Sequence, residues 1–335
     1  MGPREVVKAA FEHRKTEAVP YWIPMDEDVS RQVDSYYGGP EWRSKLIPYL
    51  SAGHLALQPQ DRGDGVAIDV FGSLLEQGNV LHVVRPVLTS PTLAGYRWPD
   101  AQTMVDWDQT ARYLESSASE SFRIYGLAFG VFERAWLMRG FEDLMIDMVE
   151  HPVFVHELLD GIAEIHVKAM DLIIDRLPVD AYFGGDDWCD QRGPMMGIEL
   201  WRKFFRPRLK KLVSHCHERG LSYVLHSCGN VFPLVEDLMA IEIDALESCQ
   251  AEAMNVYALK DKVGNRMVLI GGLGVQSTLP FSSPSEVRAE AIRLAQNLGR
   301  GGGYVLAPSK PLMTGVPPEN VAALVEAAVE VGGHR

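Results

Sequence analysis

Short apolar runs recur along the chain, and most are followed by a stretch whose apolar residues have helical spacing. The strand-like runs are Val19–Asp26, Gly53–Gln58, Phe122–Phe129, Val179–Asp187, Leu221–Cys228, Ile243–Cys249, Arg266–Gly274 and Gly302–Ser309. Helical patterns cover Glu41–Leu50, Phe141–Leu177, Ile198–Arg219, Val231–Ala240, Pro284–Leu298 and Pro317–Val331. Alternating β and α elements imply a parallel sheet covered by helices, and eight such runs close most naturally into a (β/α)8 TIM barrel. Residues 64–97 break the rhythm: strand-like segments interrupted at Gly72 and at Gly78-Asn79 predict a β-hairpin insertion after the second strand. No repeat, low-complexity tract or linker divides the chain, so residues 1–335 are read as one domain.

Composition agrees with a large core: 47% of residues are apolar and 23% charged. The formal net charge of −13 argues against a nucleic-acid surface, which needs a basic stripe. No apolar stretch is long enough to span a membrane, and Met1-Gly2-Pro3-Arg4-Glu5 opens no signal-peptide core, which suggests a cytoplasmic protein. The four cysteines, Cys189, Cys216, Cys228 and Cys249, read as reduced thiols or metal ligands, not as a disulfide framework. The oligomeric state is left open, with a homodimer among the alternatives.

Chemistry in such barrels sits at the C-terminal strand ends, and these ends are loaded with polar groups. In His226-Ser227-Cys228-Gly229-Asn230, positions two apart on a strand project together, so an imidazole and a thiol share one face. The pair could hold a soft metal, His226 could act alone as acid or base, or both could be inert core residues. Asp186 and Asp187 are adjacent and face opposite ways, so at most one enters a pocket on a regular strand; Asp187 is favoured to bind substrate or handle a proton. The other carboxylate could cap a helix or pair with Arg192. Trp188 either walls the pocket or packs in the core. Glu133 and Arg134, after the third run, could bind substrate or form a local ion pair. Gln191, Arg192, Gln250 and Ser309 complete the substrate-binding candidates, and Lys310 offers a cation that could neutralise a carboxylate or polarise a carbonyl. The glycines of Gly271-Gly272-Leu273-Gly274 and Gly301-Gly302-Gly303 lack the strand–turn–helix context of a dinucleotide site and read as close-packing or turn residues.

Three segments carry a resemblance to the uroporphyrinogen decarboxylase superfamily: Gly185-Asp186-Asp187 followed by Gln191-Arg192-Gly193, the HSCGN motif, and Tyr304–Ser309 followed by Val316-Pro317-Pro318-Glu319-Asn320. The resemblance covers nearly the whole chain and implies a (β/α)8 barrel. It also implies either decarboxylation of tetrapyrroles or methyl transfer between a corrinoid and an acceptor. True decarboxylases share an arginine-rich segment near the N-terminus; the matching region here, Pro20–Asp26, has no arginine, and Arg31-Gln32 begins no such motif. A polycarboxylate would need several guanidinium partners, which argues against uroporphyrinogen as substrate.

In thiol-methylating relatives, residues matching His226 and Cys228 bind zinc together with a later cysteine. Lys310 stands near where those relatives carry that cysteine and decarboxylases carry a histidine. The family's three-ligand set is therefore incomplete, and zinc would bind through His226 and Cys228 with Cys249 replacing the missing ligand and Glu247 or Asp187 in support. The chain has no Asp-x-His-x-x-Gly corrinoid motif, so a corrinoid would arrive on a partner protein. The expected function is a methyltransferase of one-carbon metabolism, moving a methyl group between a methoxylated or methylated small molecule, a corrinoid protein and an acceptor, with Asp187, His226 and Lys310 as catalytic residues. The alternative is a cofactor-free decarboxylase. A non-catalytic barrel that binds a partner or small ligand is the third reading.

Overall fold

Most of the apolar runs become strands in the computed structural model, which describes residues 1–63, 65–76, 82–116 and 119–333. Strand β1 (Leu50–His54) is followed by four short strands, β2 (Gln60–Gly63), β3 (Val66–Ile68), β4 (Leu74–Glu76) and β5 (His82–Arg85). The chain then returns through β6 (Phe122–Gly126), β7 (Ala181–Gly185), β8 (Ser222–His226), β9 (Ala245–Ser248), β10 (Val268–Leu273) and β11 (Tyr304–Pro308). One sheet has the order β1-β6-β7-β8-β9-β10-β11, with all neighbours parallel. Strands β7, β9, β10 and β11 are buried along their whole length, as parallel strands covered by helices must be.

The first apolar run does not form a continuous strand. It contributes two parallel bridges, Tyr21 to Leu306 and Met25 to Leu312. Pro20 and Pro24 have no N–H, so only alternate residues can donate: Trp22 and Asp26 donate to Leu306 and Leu312, whose own N–H groups return to the Pro20 and Pro24 carbonyls. Tyr21 also joins this segment to the β1 side of the sheet. Its hydroxyl accepts from the Ile47 N–H at 2.6 Å, and its ring meets Tyr49 edge-on at 5.1 Å.

The insertion begins earlier than the expected hairpin and has more strands. Strands β2 to β5 form a four-stranded antiparallel sheet over residues 60–85. Gly78-Asn79 lies outside the described residues. The second strand is also displaced, to Leu50–His54, because Glu41–Leu50 contains Pro48 and forms only a 3-10 turn over Pro40–Lys45. The long pattern Phe141–Leu177 divides at His151-Pro152 into helices Phe141–Glu150 and Pro152–Arg176. Ile198–Arg219 divides near Pro207 into Ile198–Phe204 and Arg206–Glu218. Helix Pro284–Leu298 begins as its sequence suggests, with Ser283 and Glu286 forming a capping box. No described helix is long and apolar enough to cross a membrane.

Candidate functional site

Register assembles the site. Gly185 of β7 lies opposite His226 of β8, and His226 lies opposite Glu247 of β9, all at the C-terminal ends of parallel strands. The His226 Nδ1 is hydrogen-bonded to the Glu247 carboxylate, which is almost fully buried. The other ring nitrogen, Nε2, lies 3.4 Å from Cys228 Sγ and 3.5 Å from Asp187 Oδ1. Asp187, His226 and Cys228 therefore converge, with one donor atom from each lying within 4.8 Å of the others. Asp187 is held in place because its Oδ1 accepts the Cys228 N–H at 2.7 Å. Burial alone would depress the His226 pKa, but Glu247 and Cys228 outweigh it and hold the imidazole well above its usual value.

Asp186 and Asp187 make separate contacts, although β7 ends at Gly185 and both lie beyond it, where strand alternation no longer applies. Asp186 is buried and turns to the N-terminus of helix Val131–Arg139, where it accepts from Phe132 N–H at 2.9 Å and from Glu133 N–H at 2.9 Å. These bonds satisfy orphan donors of the first turn. Burial, with Glu133 close by, nonetheless pushes the Asp186 carboxyl well above the usual carboxylate range. The helix approaches so closely that a β-carbon at Gly130 would stand 2.1 Å from the Gly185 carbonyl oxygen.

This helix has no counterpart among the expected elements, and it changes the reading of two residues. Glu133 is half-buried and titrates near 7, raised first by burial and then by Asp187, against the pull of His226. Its carboxyl thus belongs to the electrostatic neighbourhood of the Asp187–His226 cluster. Arg134 does not pair with Glu133. It is buried, donates to Asp69 of the insertion at 2.6 Å, and lies over the Phe71 ring at 4.1 Å. It anchors the insertion to this helix.

Several other expected residues are drawn elsewhere. Cys249 is buried outside the cluster, with its thiol directed to the Leu246 carbonyl, and Asp187 occupies the third donor position in its place. Burial and the nearby Glu247 raise the Cys249 pKa, which keeps it a neutral thiol. Trp188 is buried and packs against Trp201 at 5.5 Å. Gln191 is exposed, and Arg192 pairs at 3.2 Å with Asp190 on an outer turn. Gln250 is buried and accepts from the Gly229 N–H at 3.0 Å, bracing the turn after Cys228. The Ser309 hydroxyl is buried with no partner among the described residues. Lys310 is half-buried just past β11 and forms no hydrogen bond or ion pair with described residues; nothing joins it to His226. The glycine reading fits: a β-carbon at Gly271 would stand 1.9 Å from the Ser248 carbonyl oxygen.

One residue escaped sequence reasoning. His54 ends β1, its ring stacked on Phe183 at 5.2 Å, and Phe183 in turn meets the His226 ring edge-on. Solvent reaches one side of His54, yet the surrounding wall and His226 bring its pKa down to about 4, so it is a neutral imidazole. The only sequence signal was a histidine closing an apolar run, hidden because that strand was placed three residues late.

The donor set fits a zinc ion. Imidazole, thiol and carboxylate are ordinary zinc ligands, and three of them leave a position open. Glu247 on the remote ring nitrogen is the partner that orients a metal-binding histidine and fixes its tautomer.

Together, fold and site define a parallel α/β protein with an ionisable cluster at its C-terminal strand ends. The chain belongs to the uroporphyrinogen decarboxylase (URO-D) family, whose model matches residues 78–331. It is 30% identical to a uroporphyrinogen decarboxylase from Thioalkalivibrio sulfidiphilus, over 78% of this chain and 75% of that one. It is also 24% identical to the methylcobamide:CoM methyltransferase MtbA of Methanosarcina acetivorans, over 77% of this chain and 73% of that one. A solved methyltransferase from Methanosarcina mazei shares the fold, with a TM-score of 0.75 at 19% identity, over 98% of this chain and 99% of that one. The relatives thus include both decarboxylases and methyltransferases.

Proposed function

We propose that the chain is a methyltransferase of one-carbon metabolism. It would move a methyl group between a methylated or methoxylated small molecule, a corrinoid carried by a partner protein, and an acceptor. The observation that carries this reading is the convergence of Asp187, His226 and Cys228, with Glu247 behind the histidine. The curated methyltransferase MtbA among the relatives supports it. We further read residues 1–335 as one (β/α)8 barrel, with the Tyr21–Met25 segment in place of the eighth strand.

Methyl transfer is a displacement, so the protein must align a nucleophile with a methyl carbon and stabilise the charge that moves. Zinc held by His226, Cys228 and Asp187 would lower the pKa of an acceptor thiol or withdraw charge from a departing oxygen. Glu247 keeps the Nε2 of His226 turned toward that position. Glu133, titrating near neutrality, exchanges a proton with the acceptor or the leaving group. Lys310 supplies a cation for an anionic end of the substrate.

Metal analysis tests the reading. Purified protein should carry about one zinc per chain, lost in His226→Ala and Cys228→Ala, and both variants should lose methyl transfer from methylcobalamin to a simple thiol. A zinc-free, fully active wild type would sink the metal version. A second reading, a cofactor-free decarboxylase, is favoured by Glu133, whose raised pKa suits protonation of a carbanion. Carbon dioxide release from candidate acids, abolished in Glu133→Gln and retained after chelation, would select it.

A further inference from the structure

On the β1–β6 side, the insertion and the barrel-like sheet enclose a cleft of about 200 Å³, distinct from the metal-type cluster. Leu57, Pro59, Val70, Leu75 and Phe129 form most of its wall, with Ala67 contributing from β3. Its two charged residues, Arg134 and Asp69, neutralise each other at 2.6 Å. The Arg134 guanidinium is further covered by the rings of Phe71 at 4.1 Å and Phe129 at 5.2 Å. The two charges offset each other; the Arg134 Nε has no partner among the described residues, but it is buried out of reach of the cleft surface.

We infer that this cleft receives a neutral, ring-sized apolar group, and that this group is the part of a small-molecule substrate that sets specificity. An apolar cavity of roughly 150 Å³ is enough to bind benzene, so the volume here suits one ring with a small substituent. Burying a carboxylate against these walls with no free cation would cost far more than it returned.

Two further features point the same way. Phe129 holds a left-handed backbone, with φ of 61°, a conformation unfavourable for a bulky residue. That conformation carries the chain from β6 into the helix beginning at Val131, and the Phe129 ring lines the cleft. Successive residues of that helix then point about 100° apart. Glu133 meets the Asp187–His226 neighbourhood while Arg134 closes the cleft wall. One helix turn therefore links the apolar cleft to the reacting groups.

The assignment as a substrate site rests on the proposed methyl transfer; the binding itself does not. The test uses the full chain with toluene and benzoate, the same ring without and with a charge, measured by calorimetry and by nuclear Overhauser contacts to the leucine and valine methyls. Toluene should bind with contacts to Leu57, Val70 and Leu75, and benzoate at least about tenfold more weakly. Val70→Trp, at a half-buried position, fills the cleft and should weaken toluene about tenfold or more while keeping the thermal midpoint and zinc content. Should that variant fail to fold, Leu57→Trp and the Overhauser contacts decide.

Equal binding of benzoate, toluene contacts elsewhere, or unchanged toluene affinity in a folded tryptophan variant overturns the inference. So does toluene binding that weakens as protein concentration rises, because a second copy would then occupy the cleft. Toluene binding without any methyl transfer removes the proposed activity and leaves the cleft assigned. Methyl transfer without toluene binding removes the cleft alone.

Discussion

The ends of β7, β8 and β9 and the junction between β6 and the insertion use the same residue types in opposite ways. At β7–β9, Asp187, His226 and Cys228 are half-buried, and the Nε2 of His226, the Cys228 thiol and the Asp187 carboxylate face one another. At the insertion, Arg134 and Asp69 are drawn together and covered by aromatic rings, which leaves an apolar surface. A charged residue at a strand end is therefore not by itself a functional group. What matters is whether its partners consume its hydrogen-bonding capacity or leave some of it facing the cavity.

The largest effect should come from opening the closed pair. Arg134→Met or Asp69→Leu alone leaves a buried charge without its partner and should cost about 3–5 kcal/mol in urea unfolding. The double variant should recover only the part due to the unpaired charge, because Asp69 Oδ1 also accepts from the Phe71 and Ser73 N–H groups. If each single variant behaves like a surface change, the insertion is not anchored through this pair and the contrast fails.

The open side is sharpened by Glu247→Gln, which keeps the shape but weakens the orientation of His226. Zinc affinity should fall about 10–100-fold in competitive chelator titrations, with folding retained. An unchanged affinity would show that Glu247 serves packing alone.

Glu133 reports on the same side through pH. Its pKa is raised to about 7 in the folded, metal-free protein, so its contribution to stability is full below the unfolded value, near 4.5. That contribution is lost as pH rises through about 7. Chelator-treated wild type should therefore lose on the order of 2 kcal/mol relative to Glu133→Gln between those limits. A pH-independent difference would show that burial does not raise the Glu133 carboxyl.

The smallest effect separates the adjacent aspartates. Asp186→Ala removes a helix cap and should cost about 1 kcal/mol without altering zinc content. Asp187→Ala should lower zinc content with little change in unfolding. Similar behaviour of the two would erase the division of labour between these adjacent carboxylates.

Much of this was legible in the sequence. The apolar runs located β6 to β11, and the HSCGN motif marked the centre of the cluster, although Cys228 lies past the end of β8 and joins His226 through the turn rather than through strand alternation. Asp186 and Asp187 diverge beyond the end of β7, where local spacing does not require it. The first run failed as a continuous strand because Pro20 and Pro24 interrupt the ladder, a local signal that apolar content outweighed. The helix Val131–Arg139 was missed because the buried first turn is fixed by Asp186, more than fifty residues away.

The sequence by itself determined the parallel α/β plan, the strand-end location of the chemistry, and the pairing of His226 with Cys228. Tertiary structure decided which groups join that pair. It chose Asp187 over Cys249, set Glu247 behind the imidazole, turned Glu133 toward the cluster and closed Arg134 onto Asp69. The physical reason is that donor geometry and desolvation depend on strand register and on helix approach across the sheet. Neither distance is encoded in any one segment of the chain.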